Sequence, residues 1–226
     1  EYGTAENAWE ALDVVKEVGY PVLVRPSYVL GGQKMRIVIN DQELEESVIK
    51  LLKDLPDNKI LIDHFLDQAV EAEVDAVCDG ENTHILGIMQ HIEPCGIHSG
   101  DSNSVLPPYS ISDKCIETMI EYAHLLAKSV DIIGLINIQF AIKDEKVFVI
   151  EANPRASRTV PFLAKAYKLP YVNYATKIML GHSKIGDFEM PKKLEGYAIK
   201  EPVFSFDKFP NINKELGPEM KSTGER

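Results

Sequence analysis

The first 66 residues alternate between helix-like and strand-like hydrophobic patterns. Residues 5–18 carry apolar side chains at helical spacing, with Thr4 as a candidate N-cap and Gly19 as a stop signal. Short apolar runs at 22–25, closed by Pro26, and at 35–39 predict two strands separated by a loop at 27–32. A helix at 42–53 and a strand at 60–65 follow. Together these elements predict a small α+β unit over residues 1–66.

The rest of the chain, 67–226, predicts a larger unit built around hairpins. Apolar and acidic residues alternate over 70–79, and Asp79-Gly80 supplies a turn before a strand over 84–92. We expect this hairpin to have one face in water. A polar loop over 93–110, a helix over 112–130, a second hairpin over 136–151, an Asn-Pro-Arg turn and a helix over 171–180 complete the order.

Composition fits one large or two small globular domains, since 45% of the 226 residues are hydrophobic and 26% are charged. A net charge of -11 disfavours nucleic acid and anionic membranes as partners, because both bind mainly through Lys and Arg. The apolar runs are too short to cross a bilayer and no leader opens the chain, so we expect a cytoplasmic protein. Glu1 stands in place of an initiator Met, as expected of a piece of a longer protein.

No catalytic or binding role is predicted for several reactive or aromatic side chains. The three cysteines are widely spaced without a CxxC pattern, so we expect reduced, non-catalytic thiols at Cys78, Cys95 and Cys115. No role is assigned to His84, His91, His124 and His182. Tyr2 and Trp9 are expected to be packing residues.

The hairpin at 136–151 has a pattern that suits a metal ion. If Lys143 pairs with Val147, one apolar face is buried and Gln139 lies opposite Glu151 on the other face. Opposed residues have Cβ atoms about 4.5–5.5 Å apart, so both side-chain oxygens can share a cation, with Asn153 two residues farther along. Hard oxygen ligands suit Mg²⁺ or Mn²⁺. The alternative is an ordinary hairpin with a solvated Gln and Glu.

Two guanidinium groups follow this hairpin at once, in the segment NPRASR at 153–158. Arg155 and Arg158 are the residue type expected where anionic oxygens and a metal are held together. A surface salt-bridge cluster would explain these arginines equally well on their own. The five polar groups in this order favour the functional interpretation.

Segments along essentially the whole chain resemble the large subunit of carbamoyl phosphate synthetase. The two longest are VRPSYVLGG at 24–32 and IEANPRASR at 150–158. Shorter ones follow in the family's order: DHFL at 63–66, VDA at 74–76, GIHSGDS at 96–102 and GPEMKSTGE at 217–225. A lone Gly-Gly loop would be weak evidence, whereas several long motifs in order are specific.

The resemblance implies an α+β ATP-grasp fold, with a lid subdomain at 1–66, a catalytic and metal-binding subdomain at 67–226, and the usual preceding subdomain absent. Of the family's two similar halves, SYVL at 27–30, LPPY at 106–109 and RTVPF at 158–162 are similar to the second, which phosphorylates carbamate with ATP. Alternatives are the bicarbonate-activating half, another ATP-grasp carboxylate ligase, or a nucleotide-binding or structural module without turnover.

The resemblance also implies roles for individual residues. Arg155 and Arg158 would be catalytic and hold carbamate or the transferring phosphoryl group. Gln139, Glu151 and Asn153 would bind two ions of Mg²⁺ or Mn²⁺, with Gln139 and Glu151 also beside ATP. The other implied ATP contacts are Arg25, Gly31, Gly32, His64, Leu66, Glu71, Gly96, Ile97, His98 and Ser99.

Further implications concern motion and partners. Residues 1–66 would close as a lid over the second region, with changed hydrogen exchange in the 26–35 loop on nucleotide binding. The parent enzyme would join this chain to the remaining domains of the large subunit and receive ammonia from a glutaminase small subunit. Its product would supply arginine and pyrimidine biosynthesis.

Overall fold

A computed structural model describes residues 2–27, 32–56, 58–190 and 195–226. The chain divides into two compact units. The first contains Glu1–Gln68, Cys95–Asp101 and Phe204–Thr223, and the second contains Ala69–Pro94, Ser102–Val203 and Gly224–Arg226. Gly31 and the rest of 28–31, within the predicted phosphate loop, lie outside the described residues.

The first unit is a four-stranded antiparallel sheet with two helices. Its elements are β1 Tyr2–Ala5, α1 Ala8–Val18, β2 Val22–Pro26, β3 Arg36–Val38, α2 Asp41–Asp54 and β4 Ile60–His64. The strand order is β1-β4-β2-β3. Both helices pack their apolar stripes on the sheet in one core, which includes Val15, Val24, Leu44 and Ile62. The predicted strands at β2, β3 and β4 and the helix at α2 are confirmed.

The start of the first helix was predicted wrongly. Residues 2–5 form β1, in which Thr4 pairs with Leu61, so Thr4 is not the N-cap. The cap is Asn7, whose side chain accepts a hydrogen bond of 2.9 Å from the Glu10 amide. The packing role expected of two aromatic residues is also wrong, because Tyr2 is 71% and Trp9 is 81% exposed.

The second unit is a six-stranded antiparallel sheet covered by helices. Its main elements are β5 Val70–Asp79, β6 Thr83–His91, β7 Ser104–Leu106, α3 Asp113–Ser129, β8 Ile133–Lys143, β9 Lys146–Asn153, α4 Thr159–Tyr167, α5 Tyr171–Met179 and β10 Ala198–Lys200. The strand order is β10-β7-β6-β5-β8-β9. A two-stranded ladder joins β11 Pro202–Val203 to β12 Gly224–Glu225. The helices predicted at α3 and α5 are confirmed.

The wet face expected for the β5–β6 hairpin is contradicted. One face of β5 packs under α3 in a core with Val74, Met119 and Phe140, while a second core lies against α4 and α5. The acidic face of β5 is therefore inside the unit, and Glu71, Glu73 and Asp75 are all buried. Alternation indicated the two faces of the strand correctly but not that both would be covered.

The first unit takes in two segments that the division at residue 66 had assigned to the second. Asp101 in a 3₁₀ turn, Ser99–Asp101, accepts hydrogen bonds from the backbone amides of Lys221 and Ser222 at 2.8 Å each. The His98 amide donates to the Gly217 carbonyl at 2.8 Å. These bonds join the middle of the predicted 93–110 loop to the stretch near the end of the chain. The loop is also less irregular than expected, since it includes β7.

Among the described residues, no helix combines the length and the hydrophobicity that a transmembrane segment needs.

Candidate functional site

The β8–β9 hairpin brings three predicted metal ligands together. Gln139 pairs with Glu151 and Asn137 pairs with Asn153, so the predicted opposition of Gln139 and Glu151 is confirmed. The Asn153 side-chain nitrogen donates to Glu151 Oε1 at 2.8 Å. This bond involves the side-chain nitrogen of Asn153 and not its side-chain oxygen. The carboxylate and two amide side chains therefore share one end of the hairpin.

The predicted register is wrong at the other end of this hairpin. Lys143 pairs with Lys146 rather than Val147, and Phe140 pairs with Val149 rather than Ile150. A two-residue turn at Asp144 and Glu145, both with positive φ, shortens the expected loop by one residue. A bulge between the Gln139 and Phe140 pairings takes up the extra residue on β9 and restores the pairing at Glu151.

The apolar face of the hairpin is buried on one strand only. Ile138 and Phe140 of β8 are fully buried, whereas Val149, the β9 partner of Phe140, is 43% exposed. β9 is the edge strand of its sheet, which accounts for this exposure.

The ligand set at the end of the hairpin fits a hard divalent cation. Glu151 is exposed and Gln139 and Asn153 are half-buried, so solvent and a ligand can reach them. Carboxylate and amide oxygens suit Mg²⁺ and Mn²⁺. In the part of the chain that is described, no group of three or more His, Cys, Asp or Glu could hold a metal. With a single carboxylate, this set would need further oxygen ligands, as magnesium sites completed by substrate phosphates do.

The two predicted catalytic arginines lie between β9 and α4. Arg155 is exposed, and its guanidinium donates to the Ala156 carbonyl at 3.2 Å. Arg158 is half-buried immediately before α4. Burial raises the pKa of the Glu225 carboxyl, while the positive charges of Lys200 and Arg158 act in the opposite direction. Arg158 is thus close enough to Glu225 for the two charges to interact.

Sequence reasoning missed a buried charged cluster beside these groups. His91 is 4% exposed, with its ring nitrogens 3.4 Å from Glu71 Oε2 and 3.8 Å from Glu73 Oε1. The buried Lys200 lies 3.9 Å from both Glu73 and Glu225. At these separations the opposite charges attract one another strongly in the buried interior. Glu71, the predicted nucleoside contact, is thus part of an internal ion-pair network.

Burial and the neighbouring charges act in opposite directions on the pKa values of His91 and Glu73. Burial disfavours the imidazolium, but Glu71 and Glu73 outweigh it and raise the pKa of His91 to about 9. Burial likewise disfavours the Glu73 carboxylate, but His91, Lys200 and Asn137 outweigh it and lower the pKa of Glu73 to about 2. The two shifts agree on a charged pair at neutral pH. A signal was available in the sequence, because the acidic residues of β5 face a predicted strand that contains His91.

In the first unit, Arg25 and Gly32 occupy constrained positions. The half-buried Arg25 donates to Asp63 at 2.7 Å across the β2–β4 pair. Gly32 has φ of 70°, and a Cβ there would lie 1.9 Å from the Pro218 carbonyl oxygen. Any other residue would therefore require the backbone to move. His64 ends β4 in an exposed position, and Leu66 follows it half-buried.

The predicted ATP-bordering residues 96–99 form a braced loop in the same unit. Gly96 has φ of 96°, and a Cβ there would lie 3.0 Å from the Phe65 ring and from Ile37. His98 Nδ1 accepts from the Gly100 amide at 3.0 Å, which orients the imidazole. Ile97 and Ser99 are half-buried beside it. Tight packing and hydrogen bonding thus fix this loop.

The predicted site residues therefore fall into two sets. The first unit carries Arg25, Gly32, His64, Leu66, Gly96, Ile97, His98 and Ser99. The second unit carries Glu71, Gln139, Glu151, Asn153, Arg155 and Arg158.

Comparison with known proteins shows which family the chain belongs to. The model described as "Carbamoyl-phosphate synthase L chain, ATP binding domain" matches residues 1–184. The chain belongs to this family. It is 51% identical over its whole length to the carbamoyl phosphate synthase large chain of Archaeoglobus fulgidus, of which it spans 21%. It is 50% identical to the carbamoyl phosphate synthase large chain, C-terminal section, of Methanocaldococcus jannaschii, of which it spans 38%.

Solved structures confirm the ATP-grasp fold for this carbamoyl-phosphate synthase domain. A Campylobacter jejuni biotin carboxylase solved with β-γ-ATP matches with a TM-score of 0.73 at 20% identity, covering 90% of this chain and 46% of that one. The biotin carboxylase domain of Hydrogenobacter thermophilus 2-oxoglutarate carboxylase, solved with MgADP and bicarbonate, gives 0.72 at 21% identity, covering 92% and 47%. Because the identities are low, these matches bear on the fold alone.

Proposed function

We propose that this chain is the ATP-using core of the half of a carbamoyl phosphate synthase large chain that phosphorylates carbamate. The observation that carries the proposal is the hairpin pair Gln139–Glu151 with Asn153, followed directly by two arginines, in a domain of that family. The second half is favoured by 50% identity to a relative named as a C-terminal section. The segments at 27–30, 106–109 and 158–162 favour it as well.

Each set of residues contains proposed nucleotide contacts. Arg25, Gly31 and Gly32 would hold phosphate oxygens, and the close approach of Pro218 to Gly32 supports a position where only glycine fits. His64, Leu66 and Glu71 would line the nucleoside pocket, with His91 holding the Glu71 carboxylate in place. Gly96, Ile97, His98 and Ser99 would border ATP.

The metal ligands would be Gln139, Glu151 and Asn153, and we propose two ions of Mg²⁺ or Mn²⁺. When bound, such ions neutralise the charge of the phosphate oxygens. Glu151 contributes the one negative charge of this set, so it dominates the attraction for a cation. Gln139 and Asn153 supply neutral oxygens whose positions follow from the register.

Arg155 and Arg158 would hold carbamate and the transferring phosphoryl group. In phosphoryl transfer the protein mainly positions the reactants and stabilises charge on the equatorial oxygens, for which the planar guanidinium is suited. Carbamate oxygen would attack the γ-phosphorus of ATP as the bond to ADP breaks, giving carbamoyl phosphate and ADP. Protein groups would exclude bulk water, since carbamate hydrolyses readily.

The wider setting is part of the same proposal. The chain spans 21% and 38% of the two relatives above, so the remaining domains of the large chain would be its partners. We propose a glutaminase small subunit as the source of ammonia, a cytoplasmic location, and a product used in arginine and pyrimidine biosynthesis.

Glu151→Ala in the full large chain tests the proposal through two partial reactions. We expect ATP formation from ADP and carbamoyl phosphate to fall roughly 100- to 1000-fold, because a charged metal ligand is lost. Bicarbonate-dependent ATP hydrolysis should persist. Glu117→Ala, an exposed position on α3, is the control and should leave both rates unchanged. Loss of bicarbonate-dependent hydrolysis with intact ATP formation would assign the chain to the bicarbonate-activating half instead.

A further inference from the structure

The segment between the two arginines is tied to the interior of the second unit by one hydrogen-bonded chain. We propose that Asp75 is a positioning residue that fixes the segment from Arg155 to Arg158 through the hydroxyl of Ser157. This inference rests on the proposed function, which gives the two arginines their role. Asp75 lies in the VDA segment at 74–76, a motif to which the function proposed above assigns no role.

Asp75 is placed for this task by the centre of the sheet. It belongs to β5, which is paired on both sides, and it is 1% exposed. Its Oδ1 accepts hydrogen bonds from Ser157 Oγ at 2.7 Å and from the Asn137 side chain at 3.3 Å. A buried carboxyl on a central strand has little freedom to move, so it provides a fixed point for a segment outside the sheet.

Ser157 connects Asp75 to the backbone of α4. Its Oγ accepts from the amides of Thr159 and Val160 at 3.1 and 3.3 Å, while the Arg158 N-cap makes no side-chain cap hydrogen bond. Thr159 Oγ1 also lies 2.7 Å from this oxygen, and either hydroxyl can donate to the other. When Ser157 donates its one proton to Asp75, its lone pairs accept from the amides and from the Thr159 hydroxyl. Ser157 therefore caps the helix, and Asp75 sets the orientation of the cap.

The bonds of Ser157 restrain the backbone at both arginines, because Ser157 lies between them in the chain. Arg158 is the residue between the capping hydroxyl and the first helical residue, so its backbone is held on both sides. Arg155 is two residues before the same anchor. Proper placement of cationic groups before reaction is what electrostatic stabilisation requires, and a small displacement is costly.

The tether does not depend on the charge of Asp75. Its neighbours are Glu73 on the same strand, Asn137 on β8, and Ser157 and Thr159 beside α4. Burial and the negative charge of Glu73 raise the pKa of Asp75 to about 7, against hydrogen bonds from Ser157, Thr159 and Asn137. A protonated carboxyl keeps a carbonyl oxygen that accepts from Ser157, so both protonation states support the contact.

The test uses the full large chain with two pairs of variants and one control. Asp75→Ala removes the acceptor and Ser157→Ala removes the hydroxyl. Asp75→Asn keeps an acceptor oxygen and Ser157→Thr keeps a hydroxyl, so both of these variants should restore function. Asp79→Ala removes another buried carboxylate from β5, which accepts from the amides of Asn82 and Ile185, away from the arginine segment. The readouts are amide hydrogen exchange at Thr159 and Val160, and kcat and KM for ADP in ATP formation.

We expect Asp75→Ala and Ser157→Ala each to speed exchange at both amides about tenfold and to lower kcat about tenfold or more, with KM for ADP within about threefold of wild type. The double variant should be no worse than either single one. Asp79→Ala should move neither readout. Normal exchange and normal kcat in both alanine variants would overturn the inference. So would equal losses in Asp79→Ala.

Failure of the proposed function gives a different result. If the wild-type large chain forms no ATP from ADP and carbamoyl phosphate, the proposed function fails, while exchange at Thr159 and Val160 still decides whether the tether exists. Faster exchange in Asp75→Ala and Ser157→Ala would then keep the structural part of the inference, and unchanged exchange would overturn it.

Discussion

His91 is an imidazole held almost wholly inside the second unit, between two carboxylates. Burying a charge without a partner is costly, and breaking a buried pair leaves the remaining charge uncompensated. Glu71, Glu73 and Lys200 together supply the compensation. The cluster therefore connects the proposed nucleoside contact, Glu71, to the folding stability of the unit.

His91→Gln tests this cluster through the pH dependence of stability. The folded pKa of His91, about 9, lies above its ordinary value of 6.5, so its contribution is complete below pH 6.5 and is lost as pH rises through 9. We expect wild type to lose roughly 2–3 kcal/mol of unfolding free energy relative to His91→Gln between pH 6 and 9.5. Urea unfolding of the 226-residue chain at both pH values measures the difference.

Two features make this measurement interpretable. Asp75 also has a raised pKa, so its contribution is lost as pH rises through about 7. Because Glu73 links Asp75 to His91, the part of the difference that develops above pH 8 is the part assigned to His91. His182→Gln, at an exposed position, should follow the wild-type profile. A His91→Gln profile parallel to wild type would show that the buried imidazole does not carry the charge.

The first helix offers the clearest test among the elements. The Asn7 side chain accepts from the Glu10 amide and also donates to the Glu10 carboxylate at 2.9 Å, whereas Thr4 lies in β1 with an exposed side chain. Asn7→Ala should lower the unfolding free energy by about 1 kcal/mol, while Thr4→Ala should cost less. Urea unfolding of the two variants measures both. A larger loss for Thr4→Ala would favour the helix start predicted from sequence.

Elements with strong local signals could be predicted from the sequence, and weak or long-range ones could not. Alternation on both strands predicted the pairing of Gln139 with Glu151, but in the structure this pairing depends on the two-residue turn and on the bulge between Gln139 and Phe140. The turn at Asp144 and Glu145 needs left-handed backbone, which Asp and Glu adopt infrequently. Helix α4 was missed because Pro161 interrupts its pattern and its cap comes from Ser157, outside the first turn.

The buried polar face of β5 was missed for a different reason. Alternating acidic residues are typical of a strand with one solvated face. Here one neutralising group, His91, lies on the neighbouring strand β6, where its pairing with the acidic face was overlooked. The other, Lys200, lies on β10, a three-residue strand too short to recognise by pattern. Burial of such residues depends on tertiary partners, which local periodicity does not contain.

At the scale of the whole molecule, chain order and spatial grouping differ. The turn that ends at Asp101 and the stretch at Lys221 and Ser222 belong to the first unit, although more than a hundred residues separate them. The motifs GIHSGDS and GPEMKSTGE were recognised in the sequence, but their contact was not. The bonds from two backbone amides to one buried carboxylate are a property of the folded chain.

The match over residues 1–184 fixes the family, and solved structures fix the fold. The proposed site rests on the carboxylate–amide hairpin at Glu151 and Asn153 and on the segment from Arg155 to Arg158, in which Ser157 is bonded to Asp75. We propose that this half of the large chain, rather than its companion, phosphorylates carbamate.

The most direct test is ATP formation by the half of the large chain that contains these 226 residues, separated from its companion half. With ADP, carbamoyl phosphate and Mg²⁺, we expect this half to form ATP, and we expect Glu151→Ala to lower that activity roughly 100- to 1000-fold. The wild-type half should show no bicarbonate-dependent ATP hydrolysis. A folded, nucleotide-binding half that hydrolyses ATP with bicarbonate and forms none from carbamoyl phosphate would contradict the account.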